Sequence, residues 1–327
     1  METGVVDWEA ATKVIFKVAQ NASRKVQGYI KLGYACNNRC LFCTAEWKKR
    51  HGDRDTRTIL DEVERIFRED QVGTMVYSGG EPTVRPDLPG ILRHAKGLGI
   101  GEQNIQTNAR QLSDRGYLKH LRDAGLTSCF VSIHGPDQGI HDWLTLTSGA
   151  FEQTCAGLAN LESFGMRFVT NTVICKQNYT LLSEMVSFLR RTFPSICAIR
   201  LSYPRLQGGA ADNVSRIVAP VWEVAPFVRE AINRGVEIDV HVETEFIPIC
   251  LLGTRYDNAD VLCKARHNLS DLTYSDSNYY RRPGAVFYDV CGECDVLNHC
   301  CGLDTLHHEV FGESSCFRPV SFADPAL

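Results

Sequence analysis

From residue 26 to about residue 204, short β-rich runs alternate with helical stretches, and this alternation constrains the fold more than any other feature. The runs are VQGYIKLGY (26–34), TMVYS (74–78), NIQTN (104–108), SCFVSIH (128–134), RFVTNTVI (167–174) and CAIRLSY (197–203). They are dominated by β-branched, aromatic and other strand-compatible residues. Between them TILDEVERIFRED, LPGILRHAKGLG, DRGYLKHLRDAG, AFEQTCAGLANLESFG and YTLLSEMVSFLRRTF place apolar residues three or four apart, and several end at glycine. Strands separated by helices pair in parallel through right-handed crossovers. Six such units predict an α/β fold, either an open doubly wound sheet or an incomplete barrel. In both, the carboxyl ends of the strands carry the site.

After Tyr203 the pattern changes. PRLQGGAADNVSRIVAP has two adjacent glycines and no periodicity, so it reads as a long loop of the kind that forms a lid. A helix (VWEVAPFVREAINRG) and a strand (VEIDVHVETEF) follow. Beyond residue 248 the chain is irregular and rich in Cys, Gly, Asp and Asn, with too little apolar periodicity for a core of its own. The expected division is 1–25, an N-terminal helical extension; 26–204, the βα core; 205–248, lid loop, helix and strand; and 249–327, a cysteine-rich unit.

With 44% hydrophobic and 23% charged residues in 327, the composition is that of a soluble chain able to bury a sizeable core. A net charge of −4 argues against a nucleic-acid partner, whose phosphates call for a basic face. No apolar run approaches a membrane span and the N-terminus lacks a signal-peptide pattern, so the expected location is the cytoplasm. Fourteen cysteines are the anomaly. In a reducing compartment clustered cysteines read as metal ligands. Cys129, Cys155, Cys175 and Cys197 stand singly among apolar residues and read as buried small hydrophobes.

Directly after the first strand, Cys36, Cys40 and Cys43 form a C-x3-C-x2-C loop. Three thiolates in eight residues, with no local fourth, suit a [4Fe–4S] cube held by three corners and open at the fourth iron. A zinc knuckle borrowing a distant ligand is the alternative. The second strand ends Ser78-Gly79-Gly80-Glu81-Pro82, where paired glycines allow close approach of a ligand and Glu81 offers an acceptor to an ammonium group.

The C-x3-C-x2-C loop, with Phe42 before its third cysteine, and the Gly-Gly-Glu turn one βα unit later together resemble the radical S-adenosylmethionine (SAM) superfamily. The resemblance covers roughly residues 27 to 204 and implies a partial (β/α)6 TIM-like barrel. It implies that SAM chelates the open iron and that one-electron cleavage of its sulfonium gives a 5′-deoxyadenosyl radical, which abstracts hydrogen from an unactivated C–H bond. By the same resemblance Ser78, Gly79, Gly80 and Glu81 hold the methionine amino group. Thr107, Asn108, Ser132, His134 and Asn171, at later strand ends, face SAM, with Ser132 and Asn171 as the ribose and carboxylate contacts. Tyr34 and Phe42 flank the adenine. Arg200 either contacts a carboxylate or substrate anion or pairs with a carboxylate on the rim.

The tail carries Cys250, Cys263, then Cys291, Cys294, Cys300 and Cys301, and finally Cys316. Its C-x2-C-x5-C element is a metal-site spacing, and a cluster would staple a segment without its own core. The region resembles the auxiliary-cluster units of the SPASM and twitch subgroups. Asn258 and Asp304 break the full SPASM pattern, so one auxiliary [4Fe–4S] cluster is expected, on Cys250, Cys291, Cys294 and Cys300. Cys263 is the reserve ligand, and if it ligates instead, Cys250 becomes a thiol suited to donating hydrogen. Cys301 and Cys316 read as spare. A zinc-stapled tail is the alternative, and His299, His307 and His308 read as exposed loop residues.

The layout implies a small polar substrate (a sugar, aminocyclitol, aminoglycoside or nucleoside) undergoing dehydrogenation or epimerisation. A ribosomally made peptide is the alternative. Only about 25 residues precede the first strand, fewer than a leader-recognition module needs. A flavodoxin or ferredoxin-type protein is the expected electron donor.

Overall fold

The structure, a computed structural model, describes residues 25–45, 53–259, 269–271, 285–297 and 300–321. The proposed N-terminal helix, Cys263 and His299 lie outside these residues. The strands are β1 (Lys25–Lys31), β2 (Thr74–Ser78), β3 (Glu102–Thr107), β4 (Ser128–Ser132), β5 (Arg167–Val173), β6 (Ala198–Ser202), β7 (Val242–Glu245) and β8 (Leu269–Asp271). Between and after them run α1 (Thr56–Asp70), α2 (Leu88–Leu98), α3 (Arg115–Ala124), α4 (Gln138–Thr145), α5 (Ala150–Ser163), α6 (Leu182–Thr192), α7 (Val221–Glu237) and α8 (Thr305–Phe311).

Among the described residues all seven strand pairings are parallel, in the order β7-β6-β5-β4-β3-β2-β1-β8. This order separates the two architectures left open by the sequence. A doubly wound sheet reverses its order part-way and carries helices on both faces. Here β1 to β7 follow one another without reversal, so crossovers of one hand place the connecting helices on a single face. The sheet curls beneath them as an unclosed barrel. The six expected βα units are present, and β7 and β8 extend the sheet at its two ends.

Each helix buries the stripe its spacing predicts: Ile59, Val63 and Ile66 on α1, Leu118, Leu121 and Ala124 on α3, Leu182, Met185, Val186 and Leu189 on α6. Full burial of such a side chain contributes about 1.5–3 kcal/mol for the larger ones. Asp55, Asp114 and Asp137 cap α1, α3 and α4 by accepting main-chain N–H bonds. On the strands, Cys129, Val131, Phe168, Thr170, Ile199 and Leu201 are buried, while Phe130, Ser132, Val169, Asn171 and Arg200 alternate with them on the inner face, half-buried.

Four expectations need correction. First, residues 205–220 are not one long irregular loop. They form two helical turns, Gly209–Asp212 and Val214–Ile217, and bury Leu206, Ala210, Ile217 and Val218. Second, α7 runs through Gly235 to Glu237, and the strand shrinks to Val242–Glu245. Gly235 is a packing glycine, since a Cβ there would lie 2.5 Å from Val242 Cγ2. Third, Cys129 and Cys175 are buried, but Cys155 is half-buried and Cys197 is exposed. Fourth, His307 is wholly buried and packs edge-on to Tyr203 and Trp222. Its Nε2 accepts from Val221 N–H at the start of α7. With Val296, Leu303, Phe317 and Val320, the tail joins the barrel's hydrophobic core instead of standing apart from it.

Candidate functional site

The loop after β1 carries Cys36, Cys40 and Cys43, all half-buried. Its main chain is pinned on four sides. Gly80 N–H donates to Gly33 O and Glu81 N–H to Ala35 O, each at 2.8 Å. Arg39 and Leu41 N–H donate to Thr145 O and Leu144 O at the end of α4. Gly209 N–H donates to Cys43 O at 2.9 Å, and Asn213 Nδ2 to Leu41 O. The fourth clamp is Arg110, just past β3. Its Nη1 donates to Asn37 O and Asn38 Oδ1, and its Nε to Gln153 Oε1 on α5.

The paired glycines serve this loop before any ligand. A Cβ on Gly79 would lie 2.2 Å from Gly33 O, and one on Gly80 would lie 2.0 Å from Ala35 O. No side chain fits where two backbones meet so closely. Tyr34, half-buried, brings its main chain against Gly80 in the same contact. Gly208 and Gly209 play the matching part on the far side, where a Cβ on either would lie 2.8 Å from loop carbonyls.

Glu81 does not present an open carboxylate. It is 3% exposed, and its Oε1 accepts from Thr83 N–H, Thr83 Oγ1 and Thr107 Oγ1, while Oε2 accepts from Asn108 N–H. Burial raises its pKa, with the four hydrogen bonds opposing. Glu81 therefore stitches the turn after β2 to the end of β3. Thr107 is buried and its Oγ1 donates to Glu81 Oε1 in the same network. Asn108 turns toward the cysteine loop and donates from Nδ2 to Asn37 Oδ1 at 2.7 Å.

His134 is also internal. It is 2% exposed and its Nδ1 accepts from Val173 N–H. Its ring meets Phe42 edge-on at 4.6 Å and stacks on His141 at 5.6 Å. Burial holds its pKa well below the ordinary histidine value, so the ring is neutral. It supports Phe42 from beneath.

Ser132 and Asn171 do come together. Register sets Ser132 beside Asn171, Asn171 beside Arg200 and Arg200 beside Glu243, one polar row across four strands. Arg200 pairs with Glu243: Nη2 lies 2.6 Å and Nε 2.7 Å from Glu243 Oε1, and the guanidinium sits over the Phe130 ring. One step further along, Ser202 Oγ lies 2.6 Å from Asn171 Oδ1 and 3.0 Å from Glu245 Oε2. Nearer β1, Tyr29 OH and Ser78 Oγ both donate to Gln106 Oε1 at 2.7 Å. A closed barrel fills its centre with branched apolar side chains, whereas this inner face is hydrogen-bonding. Sequence reasoning missed Gln106, Arg110, Glu243 and Glu245. The alternating Glu243 and Glu245 on a short strand were the available signal.

In the tail, Cys250, Cys291, Cys294 and Cys300 line one pocket with apolar walls that include Phe287, Val296 and Phe317. Cys294 Sγ accepts from Val320 N–H at 3.4 Å. Burial, then the neighbouring cysteines, push the Cys250 thiol up to about 12, and burial raises Cys291. Cys300 moves the other way, to about 7, chiefly through a hydrogen bond from Cys301. Held as thiolates in an apolar pocket, four cysteines would need compensating cations, and a [4Fe–4S] cluster fits this donor set. Among the described residues no three His, Cys, Asp or Glu side chains converge closely enough for a single ion. Cys301 is buried beside this group and Cys316 is exposed. His308 Nδ1 lies 3.2 Å from Tyr288 OH.

Residues 30–189 match the family described as the Radical SAM superfamily. An AdoMet-dependent heme synthase from Oleidesulfovibrio alaskensis is 29% identical over 149 residues, 44% of this chain and 37% of that protein. A probable GTP 3′,8-cyclase from Sulfolobus acidocaldarius is 31% identical over 163 residues, 49% of this chain and 50% of that one. The chain thus spans about half the length, or less, of these curated relatives. Among solved structures, Streptococcus suis SuiB bound to the precursor peptide SuiA superposes with a TM-score of 0.61 at 17% identity, covering 97% of this chain and 80% of that one. That likeness is one of fold. Among the described residues no helix is long and apolar enough to cross a membrane.

Proposed function

The chain belongs to the radical SAM superfamily through residues 30–189, and from that premise we propose that it cleaves SAM reductively and abstracts hydrogen from a small polar substrate lying against the inner face of the barrel. Cys36, Cys40 and Cys43 would hold the family's [4Fe–4S] cluster, which, when bound together with SAM, would supply the one-electron chemistry needed to attack an unactivated C–H bond. Main-chain groups of Ser78, Gly79 and Gly80 bind the methionine end, while Glu81, Thr107 and Asn108 fix the turn that presents them. Ser132 and Asn171 contact ribose and carboxylate, and Tyr34 and Phe42 flank the adenine, with His134 behind Phe42.

The observation that carries the substrate class is the polar row of Ser132, Asn171, Arg200 and Glu243, continued by Ser202 and Glu245. Such a surface suits a hydroxylated or amino-bearing molecule: a sugar, aminocyclitol, aminoglycoside or nucleoside. Cys250 shares a pocket with Cys291, Cys294 and Cys300, which supports it as an auxiliary-cluster ligand and not a hydrogen donor. An auxiliary cluster able to accept the second electron favours dehydrogenation over epimerisation.

The test is anaerobic turnover with dithionite and SAM. Formation of 5′-deoxyadenosine, stimulated by members of a sugar and nucleoside panel, is the expected result; none from a fully loaded protein contradicts it. A second reading, maturation of a ribosomally made peptide, is favoured by the whole-chain fold likeness to SuiB bound to SuiA. A short precursor-peptide gene beside this one, with turnover stimulated by that peptide alone, would establish it.

A further inference from the structure

Buried and half-buried arginines of this fold spend their guanidinium groups on acceptors: Arg85 on Asp87, Arg110 on Asn37 and Gln153, Arg200 on Glu243. Arg205 departs from this. Its Nε is buried and meets no acceptor, and among the described residues no carboxylate or carbonyl pairs with its guanidinium. What the group does meet is the Phe246 ring, with 5.5 Å to the centroid. A buried donor without an acceptor is costly, and such a group in a native fold asks for an explanation. Phe246 is anomalous too: it holds a left-handed backbone, φ 62°, which a bulky residue seldom adopts. Strained residues of this kind gather at ligand clamps.

Both residues stand just past the carboxyl ends of strands. Tyr203 N–H still donates to Glu245 O, so Phe246 directly follows β7 while Arg205 comes shortly after β6. Arg205 also lies midway along the chain between Ser202, which bonds the polar row, and Gly208, whose neighbour Gly209 donates to Cys43 O. Three residues of extended chain reach about 11 Å at most, so Arg205 stays near both. The segment is held firmly: Tyr203 OH donates to Ala219 O at 2.6 Å, and Leu206 and Ala210 are buried. Of the carboxylates at this end, Glu243 is engaged by Arg200 and Glu245 accepts from Ser202 Oγ. Asp212, on the following turn, is exposed and makes no ion pair with Arg205.

We propose that Arg205 is a specificity-determining residue that binds an anionic group, carboxylate or phosphate, on the substrate. This deepens the reading of the inner face as the substrate surface and rests on it. A guanidinium presents a planar fork that fits two oxygens of either anion. An aromatic face such as that of Phe246 supports a guanidinium without taking up its N–H donors. The hydroxyl or amino part of the same molecule then lies along Asn171, Ser202 and Glu245, and the anion at the rim fixes which carbon faces the cysteine loop. The substrate class narrows to a hydroxylated anion: a sugar acid, sugar phosphate or nucleotide.

The test uses the full chain, reconstituted anaerobically, in the wild type, Arg205→Gln and Arg205→Lys. The probes are glucose, glucuronate and glucose 6-phosphate, and adenosine with adenosine 5′-monophosphate, all at the same ionic strength. Equilibrium dialysis and ligand-induced shifts in thermal midpoint report binding, and the unliganded midpoints check that both variants fold. An anionic probe is expected to bind the wild type on the order of tenfold tighter than its neutral counterpart. Glucuronate against glucose 6-phosphate separates carboxylate from phosphate. Arg205→Gln removes the preference, and Arg205→Lys, with the charge but not the fork, keeps part of it. SAM affinity and iron content stay at wild-type values in both variants. Absence of any anionic preference in the wild type, or an undiminished one in Arg205→Gln, would overturn the proposal. So would a comparable loss of SAM affinity in Arg205→Gln, which would make Arg205 a contact of the SAM carboxylate. A wild type that prefers the anions yet takes up neither iron nor SAM would leave the anion site standing and sink the reading of the radical site instead.

Discussion

Gly80 packs against Ala35 so closely that a Cβ on the glycine would stand 2.0 Å from the alanine's carbonyl oxygen. The contact joins the turn after β2 to the cysteine loop, backbone against backbone, and the adjacent Glu81 N–H bond to Ala35 O closes it. Gly80→Ala must push the loop aside, at an expected cost of about 1–3 kcal/mol. Chemical denaturation should show that loss, and the variant should retain less iron at the first site. Wild-type stability with full iron content would contradict the packing role.

This contact also marks the limit of what the sequence made legible. Alternating strands and helices, the Cys36–Cys43 spacing and the Gly-Gly-Glu turn are local patterns, and each could be read from neighbouring residues. What occupies the space above Gly79 and Gly80 depends on how β1 and β2 register, which is not local. The glycines read as room for a ligand because the loop that fills that room arrives from 45 residues upstream of Gly80, on the order of a βα unit away. Glu81 read as an open acceptor for the same reason: besides the local Thr83, its donors Thr107 and Asn108 stand at and just past the end of another strand. Arg110 lay between two patterns and matched neither. Gly209 read as lid flexibility because nothing in residues 205–220 says that they pack on Cys43.

Arg110 bonds two residues of the stretch between Cys36 and Cys40. Hydrogen bonds from a charged group contribute about 1.5–3 kcal/mol each. In Arg110→Met that stretch loses its clamp, and a chelator should strip iron from the first site several-fold faster. Arg110→Lys, which keeps a charge but not the fork, should fall between. Equal stripping rates in all three proteins would show that Arg110 does not hold the loop.

Buried histidines give stability a pH dependence of definite sign. Burial pushes His141 and His307 down to about 4, from an ordinary value of 6.5. Between these limits the unfolded chain binds protons that the folded chain refuses, so stability is fully present above 6.5 and is lost as pH falls toward 4. Glu81, raised by burial, acts in the opposite sense: its contribution is lost as pH rises past the ordinary carboxylate range. Urea midpoints measured from pH 4 to 7 should rise with pH, and His307→Phe should flatten the slope. A slope unchanged in that variant would remove His307 as its source.

Iron and sulfide content after anaerobic reconstitution, in the wild type and in a Cys36→Ala, Cys40→Ala, Cys43→Ala triple variant, tests the two-site reading most directly. Two [4Fe–4S] clusters give about eight iron per chain, falling to about four in the triple variant, with the remainder lost on further change of Cys291 and Cys294. About four iron falling to zero would contradict it: the pocket of Cys250, Cys291, Cys294 and Cys300 would then hold no cluster, and dehydrogenation through an auxiliary acceptor would lose its support.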